Sequence, residues 1–198
     1  RFVSVLKKPE EELDLFFFPD FKTLFETRFA AGKGEVFTQR FAEMGQRFEF
    51  VEDEALLKGQ GWSYPERNDT ASFQWAVGAQ AELGLPVDLP ADAPPSDATL
   101  RLRVLPYLYP EAPPQNLELW LNQYHLATLE LPEHWSEHEI AVPADAWSTS
   151  ANLLTLRFSR TASPASVVPG AGDSRSLSAA FDYLEIVSGR ATGPDDDG

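Results

Sequence analysis

The sequence predicts a mainly β protein, an antiparallel β-sandwich or jelly roll with a short N-terminal helical segment. Apolar and polar residues alternate in about eight short stretches between residues 59 and 188, which is the period of half-buried strands. Proline-rich breaks separate these stretches, and no strong helix signal occurs among them. The first 58 residues differ, because their apolar side chains recur three and four positions apart, as in an amphipathic helix.

The composition of the chain changes after Lys58. All five lysines and 11 of the 14 phenylalanines lie up to this residue, whereas every tryptophan and tyrosine follows it. The glycines of Gly59-Gln60-Gly61 permit a flexible or sharply turned connection at this point. We therefore predict a Phe-rich helical docking segment over residues 1–58, a sandwich module over 59–188 and a disordered acidic tail over 189–198.

The docking segment carries the signals of two short helices, with Asp20 as a suitable N-cap for the first. Their apolar faces combine Phe21, Leu24, Phe25 and Phe29 with Phe37, Phe41, Met44 and Phe48. Helices this short are not stable alone, so they dock on the sandwich or on a partner protein. Interspersed acidic residues disfavour a membrane surface as that partner. The candidate partner interface is formed by Phe21, Phe25, Phe29, Phe37 and Phe41.

The period-two alternation predicts the strands of the sandwich in chain order. They cover residues 73–77, 79–85, 100–104, 117–121, 127–131, 138–142, 154–158 and 181–187. Prolines end several of them, around residues 94–95, 110–114 and 164–169. Many short strands joined by Pro-rich turns are typical of sandwiches and jelly rolls.

Charge and composition exclude several classes of function. The chain of 198 residues has a net charge of −15 and no cysteine. The negative charge opposes nucleic-acid binding by phosphate neutralisation and a polybasic membrane anchor. Without cysteine there is no disulfide framework, thiol nucleophile or thiolate metal site. No apolar run approaches the ~20 residues that span a bilayer. The start at Arg1, without methionine or export signal, suggests a processed product or a fragment.

The sequence contains no pattern that specifies a catalytic site, and we predict no enzyme activity. His134 and His138 fit the spacing of an inverted zinc-protease motif, but the motif needs a helix and this stretch predicts a strand. Histidines four apart in a strand are separated by about 13 Å, too far for one ion. No Gly-x-Ser-x-Gly elbow or phosphate loop occurs. A carboxylate-based glycan-acting enzyme and a structural calcium stay open alternatives, because converging side chains are invisible in sequence.

Aromatic residues in or beside turns, or on the outward side of strands, are the candidate ligand-binding residues. Flat rings on a sandwich can stack against the apolar faces of sugars. The alternative is that these rings only close the ends of the sandwich, as we predict Trp75 and Trp147 to belong to the core. The candidates for glycan stacking are Trp62, Tyr64, Tyr107, Tyr109, Trp120 and Tyr124.

An ordered series of short motifs extends over residues 59–188. It includes Gly-Trp-Ser-Tyr-Pro-Glu at 61–66, Phe-Gln-Trp at 73–75, Leu-Trp-Leu-Asn at 119–122, Asn-Leu-Leu-Thr-Leu-Arg-Phe at 152–158 and Gly-Asp-Ser-Arg-Ser-Leu at 172–177. In this series the chain resembles the carbohydrate-binding-module-like sandwich appended to bacterial membrane glycosyltransferases, glycerol-phosphate transferases and related envelope proteins. It departs from the pattern at Gln123 and Ser178, where glycines are usual.

The resemblance implies an extracytoplasmic accessory module, periplasmic or at the cell surface, without catalysis of its own and without a defined ligand. We therefore predict a non-catalytic module of a bacterial envelope protein that binds glycan or positions a neighbouring enzyme. The alternative is a structural subunit of a multiprotein complex that docks through its Phe-rich helices. Asp173 and Arg175 are expected to form a local ion pair that orders the last loop.

Overall fold

A computed structural model describes residues 2–6, 14–18, 47–51, 57–69, 71–85, 97–148 and 152–188. These residues contain strands β1 (Phe2–Leu6), β2 (Asp14–Phe18), β3 (Arg47–Glu49), β4 (Leu57–Lys58), β5 (Trp62–Arg67), β6 (Ser72–Val77), β7 (Gln80–Leu85), β8 (Ala98–Pro106), β9 (Gln115–Leu121), β10 (Tyr124–Leu131), β11 (Ser136–Val142), β12 (Asn152–Phe158) and β13 (Leu177–Ser188). A 3-10 turn at Ala144–Ala146 and a one-turn helix, α1 (Pro164–Val167), complete them. Neither helix is long and apolar enough to cross a membrane, and the described ranges contain no other candidate span.

The strands form two large antiparallel sheets and one small ribbon. Sheet I has the order β10-β9-β12-β7-β4, and sheet II has the order β11-β8-β13-β6-β5, with β3 also paired to β13. Strands β1 and β2 pair only with each other among the described strands. The apolar core contains side chains from both large sheets, as expected when two sheets pack face to face. The prediction of an antiparallel β-sandwich is confirmed.

Alternation in the sequence corresponds to alternation in burial. Along β8, residues facing the core are 0–4% exposed, and their neighbours lie half-exposed on the outer face of sheet II. Three leucines of β9, Leu117, Leu119 and Leu121, are at most 1% exposed. Each fully buried leucine contributes about 1.5–3 kcal/mol relative to an exposed one, so these strands account for much of the stability.

Two strands of the large sheets, β3 and β4, lie on the N-terminal side of Gly59. β3 pairs with β13, and β4 pairs with β7, so the sandwich includes residues on both sides of Gly59. Phe48 in β3 and Phe50 just after it are 0% exposed in the common core. Residues 47–50 are therefore an integral part of the sandwich.

The helical assignment of Phe48 is wrong, because β3 is a strand held by pairing to β13. Its spacing from Phe37, Phe41 and Met44 imitates a helix, but tertiary pairing decides the conformation of this short stretch. The other predicted helical residues lie outside the described part of the chain. The same holds for all five candidate interface residues, Phe21, Phe25, Phe29, Phe37 and Phe41.

Candidate functional site

The six candidate stacking residues do not form a single surface. Trp62 packs against the core. Tyr64, Tyr107 and Tyr109 lie around the loop before β13. Trp120 and Tyr124 belong to sheet I. Tyr64 is the most exposed of them at 63%, followed by Tyr124 at 45%. The contacts of each ring determine whether it can receive a ligand.

Trp62, the first residue of β5, is partly buried and packs against the core. Its ring centroid lies 4.9 Å from that of Phe50 and 5.4 Å from that of Phe181, and its indole N–H donates to the Glu82 carbonyl at 2.8 Å. Gly61 precedes it with φ +85, and a Cβ there would lie 2.2 Å from the Gln80 carbonyl oxygen. Only glycine permits this close approach, which directs Trp62 inward. The Trp62 ring is therefore occupied by contacts within the protein.

Tyr64 points outward although it lies two residues after Trp62 in the same strand. Residues two apart normally share a face, but the pairing of β5 with β6 shifts register between Trp62 and Pro65. Such a bulge redirects the side chains that follow it. Tyr64 is consequently exposed, and the guanidinium of Arg175 lies 4.6 Å from its ring centroid. This cation–π contact covers one face of the ring.

Arg175 is held by two carboxylates. Its Nη2 lies 2.6 Å from Oδ2 of Asp173, its Nη1 lies 2.6 Å from Oε1 of Glu66, and its Nε also donates to Asp173. The expected Asp173–Arg175 ion pair is confirmed, and it extends to Glu66 and Tyr64. Hydrogen bonds from the Arg175 side chain and backbone N–H hold the pKa of Asp173 below its ordinary value. The carboxylates in turn raise the pKa of Arg175.

Tyr107 and Tyr109 lie next to this network. Tyr107 is 9% exposed, and burial raises its pKa, with the nearby charge of Asp173 as the next cause. Its ring lies 5.7 Å from that of Tyr109. Arg160 lies 5.2 Å from the Tyr109 ring centroid and donates to the carbonyls of Tyr107 and Pro113 at 3.0 and 2.7 Å. This end of the sandwich thus presents two tyrosines, Tyr64 and Tyr109, each contacted by an arginine.

A row of rings continues from Tyr109 across the outer face of sheet II. Neighbouring centroids are 5.6–5.9 Å apart in the series Tyr109, Tyr107, Trp75, Phe73 and Trp135. On β13, the small residue Ala180 is the register partner of Trp75. Two of the four contacts are edge-to-face and two are tilted, so the rings of the row pack against one another. Trp75 belongs to this outer row and not to the core, contrary to the prediction, whereas Trp147 is buried as predicted.

Trp120 lies on the outer face of sheet I, between the buried residues Leu119 and Leu121. Its ring lies 4.8 Å from that of His125 and 5.1 Å from the guanidinium of Arg157. Its indole N–H donates to Glu118 at 3.2 Å. The outward position follows the predicted alternation. The Trp120 ring is therefore contacted by both a histidine and an arginine.

Tyr124 begins β10, just after the hairpin turn that joins it to β9. Asn122 adopts φ +56 in this turn, a conformation that asparagine tolerates better than most residues. Its amide donates to the Ala146 carbonyl at 2.9 Å, which fixes the turn. Within the described ranges, no aromatic or cationic side chain contacts the Tyr124 ring. Tyr124 is 45% exposed.

The histidine pair of the zinc-protease pattern does not form a metal site. His138 lies in β11, bonded to the Ser136 hydroxyl at 2.8 Å, and desolvation lowers its pKa. His134 lies exposed in the preceding loop. In the part of the chain that the structure describes, no group of three or more His, Asp or Glu side chains is arranged to hold a metal ion.

No protein-family model and no curated protein matches the chain. Solved structures similar to it include the C-terminal CBM6 of the marine laminarinase LamC from Zobellia galactanivorans, with TM-score 0.43, 12% identity, and coverage of 72% of this chain and 100% of that one. A family 35 carbohydrate-binding module from an environmental isolate matches with TM-score 0.43 and 15% identity, covering 75% of this chain and 99% of that one. A carbohydrate-binding module of Cellvibrio mixtus lichenase 5A, in complex with cellotriose, matches with TM-score 0.42 and 11% identity, covering 75% of this chain and 100% of that one. All three are distant from this chain.

Proposed function

We propose that the chain is a non-catalytic glycan-binding module with Tyr64 as its principal stacking ring. The observation that carries the proposal is an aromatic side chain 63% exposed to solvent yet contacted on one face by Arg175. Apolar C–H faces of sugars stack on such rings. A ring that is already held in place loses less side-chain entropy when a ligand binds.

Polar groups beside the ring are placed to receive sugar hydroxyls. The side chains of Glu66 and Asp173 are 27% and 31% exposed, so a ligand can reach their oxygens. A few convergent polar groups around an apolar surface are the usual composition of a ligand site. Tyr109, with Arg160 against its ring, offers a second aromatic surface at the same end.

The electrostatics of these carboxylates favour binding over catalysis. A glycosidase needs one carboxyl group whose pKa is raised, so that it can protonate the leaving oxygen. Arg175 lowers the pKa of Asp173 instead, and the same guanidinium binds Glu66. Both carboxylates therefore serve to hold Arg175, and through it Tyr64.

The cellular context is part of the same proposal. The ordered motifs between residues 61 and 186 support an accessory module of a bacterial envelope protein, outside the cytoplasm. In that setting the module holds a glycan near an enzyme carried elsewhere, or positions that enzyme directly. A large panel of envelope polysaccharides is therefore the appropriate source of ligands.

Calorimetric titration of the full chain with bacterial polysaccharides, with and without calcium, tests the proposal. We expect saturable binding that Tyr64→Ala weakens about tenfold or more, because the stacking surface is lost. Tyr124→Ala is the matched control, since it removes an exposed tyrosine that lacks the arginine contact, and it should leave affinity unchanged. Equal affinity for the wild type and Tyr64→Ala, with unchanged melting curves, would exclude Tyr64 as the binding ring.

The uneven distribution of phenylalanine supports a second candidate function, docking to a protein partner through the first part of the chain. Phe21, Phe25, Phe29, Phe37 and Phe41 would be the anchors of that interface. A chain that starts at residue 46 keeps β3 and Phe50 and so preserves the sandwich. We expect it to fold but to lose co-purification with the partner; retained co-purification would refute this interface.

A further inference from the structure

The charges around Tyr64 are not balanced. Glu66 and Asp173 both pair with the same guanidinium, that of Arg175, at 2.6 Å each. These two carboxylates and one guanidinium together carry a net charge of −1 beside the ring. Arg160, the arginine against Tyr109, donates to backbone carbonyls and pairs with neither carboxylate. The excess charge is therefore located at the proposed binding ring.

The groups that face a ligand here are mainly acceptors. Arg175 is 22% exposed, each of its three nitrogens already donates to Glu66 or Asp173 with three of its five N–H groups, and Tyr64 covers its face. Glu66 accepts from Arg175 through its Oε1 atom, and its side chain is 27% exposed. An incoming group that donates hydrogen bonds or carries positive charge is favoured, whereas an anionic group is repelled.

From this arrangement we infer that the Tyr64 site selects glycans that contain protonated amino sugars. This inference rests on the proposed function and names its ligand class. The C–H face of the sugar stacks on Tyr64, and the ammonium group pairs with Glu66 and Asp173. The net charge of −15 adds a long-range attraction for such a polycation. Uronic-acid polymers are disfavoured by the same charges.

The probes are a β-1,4-linked glucosamine tetramer, its fully N-acetylated counterpart and a galacturonic acid tetramer. They are titrated into the full chain at mildly acidic pH, where the sugar amine is protonated and Asp173 stays ionised because its pKa is lowered. We expect the glucosamine tetramer to bind about fivefold or more tightly than the acetylated one. Added salt should reduce this ratio, since ionic attraction is screened.

Glu66→Gln isolates the charge from the geometry, because the amide oxygen still accepts the Arg175 hydrogen bond. This variant should bring the ratio of affinities close to one while binding of the acetylated tetramer persists. Glu130→Gln is the matched control, since it removes an exposed carboxylate of sheet I and changes the net charge equally. It should leave the ratio unchanged.

The outcomes separate this inference from the proposed function. Equal affinity for amino and acetylated tetramers, both weakened by Tyr64→Ala, would overturn the amino-sugar preference and leave glycan binding intact. A preference that survives Glu66→Gln would also overturn it, because the selectivity would then arise elsewhere. No binding of any tetramer or polysaccharide would refute both statements.

Discussion

The Tyr64 site and the Trp120 face use the same pair of residue types in different ways. In each, an arginine stacks on an aromatic ring, at 4.6 Å for Arg175 on Tyr64 and 5.1 Å for Arg157 on Trp120. Arg175 is also bonded to two carboxylates. Arg157 has no carboxylate within ion-pair distance in the described ranges, although Glu118 is its cross-strand neighbour.

The two sites show that exposure and rigidity are separate properties of an aromatic surface. Arg157 can rotate away from Trp120 at the loss of one contact, whereas Arg175 can leave Tyr64 only by breaking several charge-assisted bonds. The exposed Tyr64 ring is thus contacted by an arginine that is fixed by ion pairs. The half-buried Trp120 ring is contacted by an arginine that is not. A preorganised surface of the first kind binds with less loss of entropy.

The largest expected effect concerns the buried support of the Tyr64 side. Phe50 packs 4.9 Å from Trp62, whose strand carries Tyr64, and Phe48 is likewise fully buried. Losing a buried phenylalanine costs about 3–5 kcal/mol, so losing both approaches the whole stability of a domain. We expect a chain starting at residue 59 to be unfolded, as measured by circular dichroism. A chain starting at residue 46 should melt cooperatively; cooperative melting of both would contradict this role of Phe48 and Phe50.

Much of the sandwich follows from the sequence because its central strands are long and alternate regularly. β8, β9 and β12 are predicted within a few residues, since one side of each faces a common core. β3 and β4 are three and two residues long, too short to show a period. Their conformation depends on pairing with strands distant in sequence.

The candidate site is less predictable than the fold. Period two would place Trp62 and Tyr64 on the same face, and the alternation alone does not predict the register shift between Trp62 and Pro65 that separates them. Glu66 and Arg175 are 109 residues apart, so their ion pair depends on the complete fold. The sequence therefore predicts aromatic candidates but not which of them is held in place.

Arginine removal tests the comparison directly. Arg175→Ala leaves two adjacent carboxylates without their cation and Tyr64 without its support, so we expect a loss of about 1–2 kcal/mol in unfolding free energy. Glycan affinity should fall together with it. Arg157→Ala removes one exposed contact and should change stability by less than about 0.5 kcal/mol. Urea unfolding of both variants measures the difference, and equal losses would show that the two arginines are held alike.

The smallest expected effect is a dependence of stability on pH at the Tyr64 site. The pKa of Asp173 is lowered in the folded chain, chiefly by hydrogen bonds from Arg175. Its stabilising contribution is therefore complete above the pKa of the unfolded state, near 3.8, and is lost as the pH falls through the lower folded value. Melting curves should show a constant advantage of the wild type over Asp173→Asn from neutral pH to about pH 5 and a shrinking one below about pH 4.

The same comparison in an Arg175→Ala background assigns the effect to the pair. Without the guanidinium, Asp173 loses the main cause of its lowered pKa, so Asp173→Asn should no longer change the acid limb of the stability curve. An unchanged pH dependence in that background would attribute the shift to the backbone N–H of residue 175, which also donates to Asp173 at 2.9 Å. The loop beside Tyr64 would then be ordered independently of the Arg175 side chain. The difference in rigidity between the Tyr64 and Trp120 sites would then depend on backbone geometry alone.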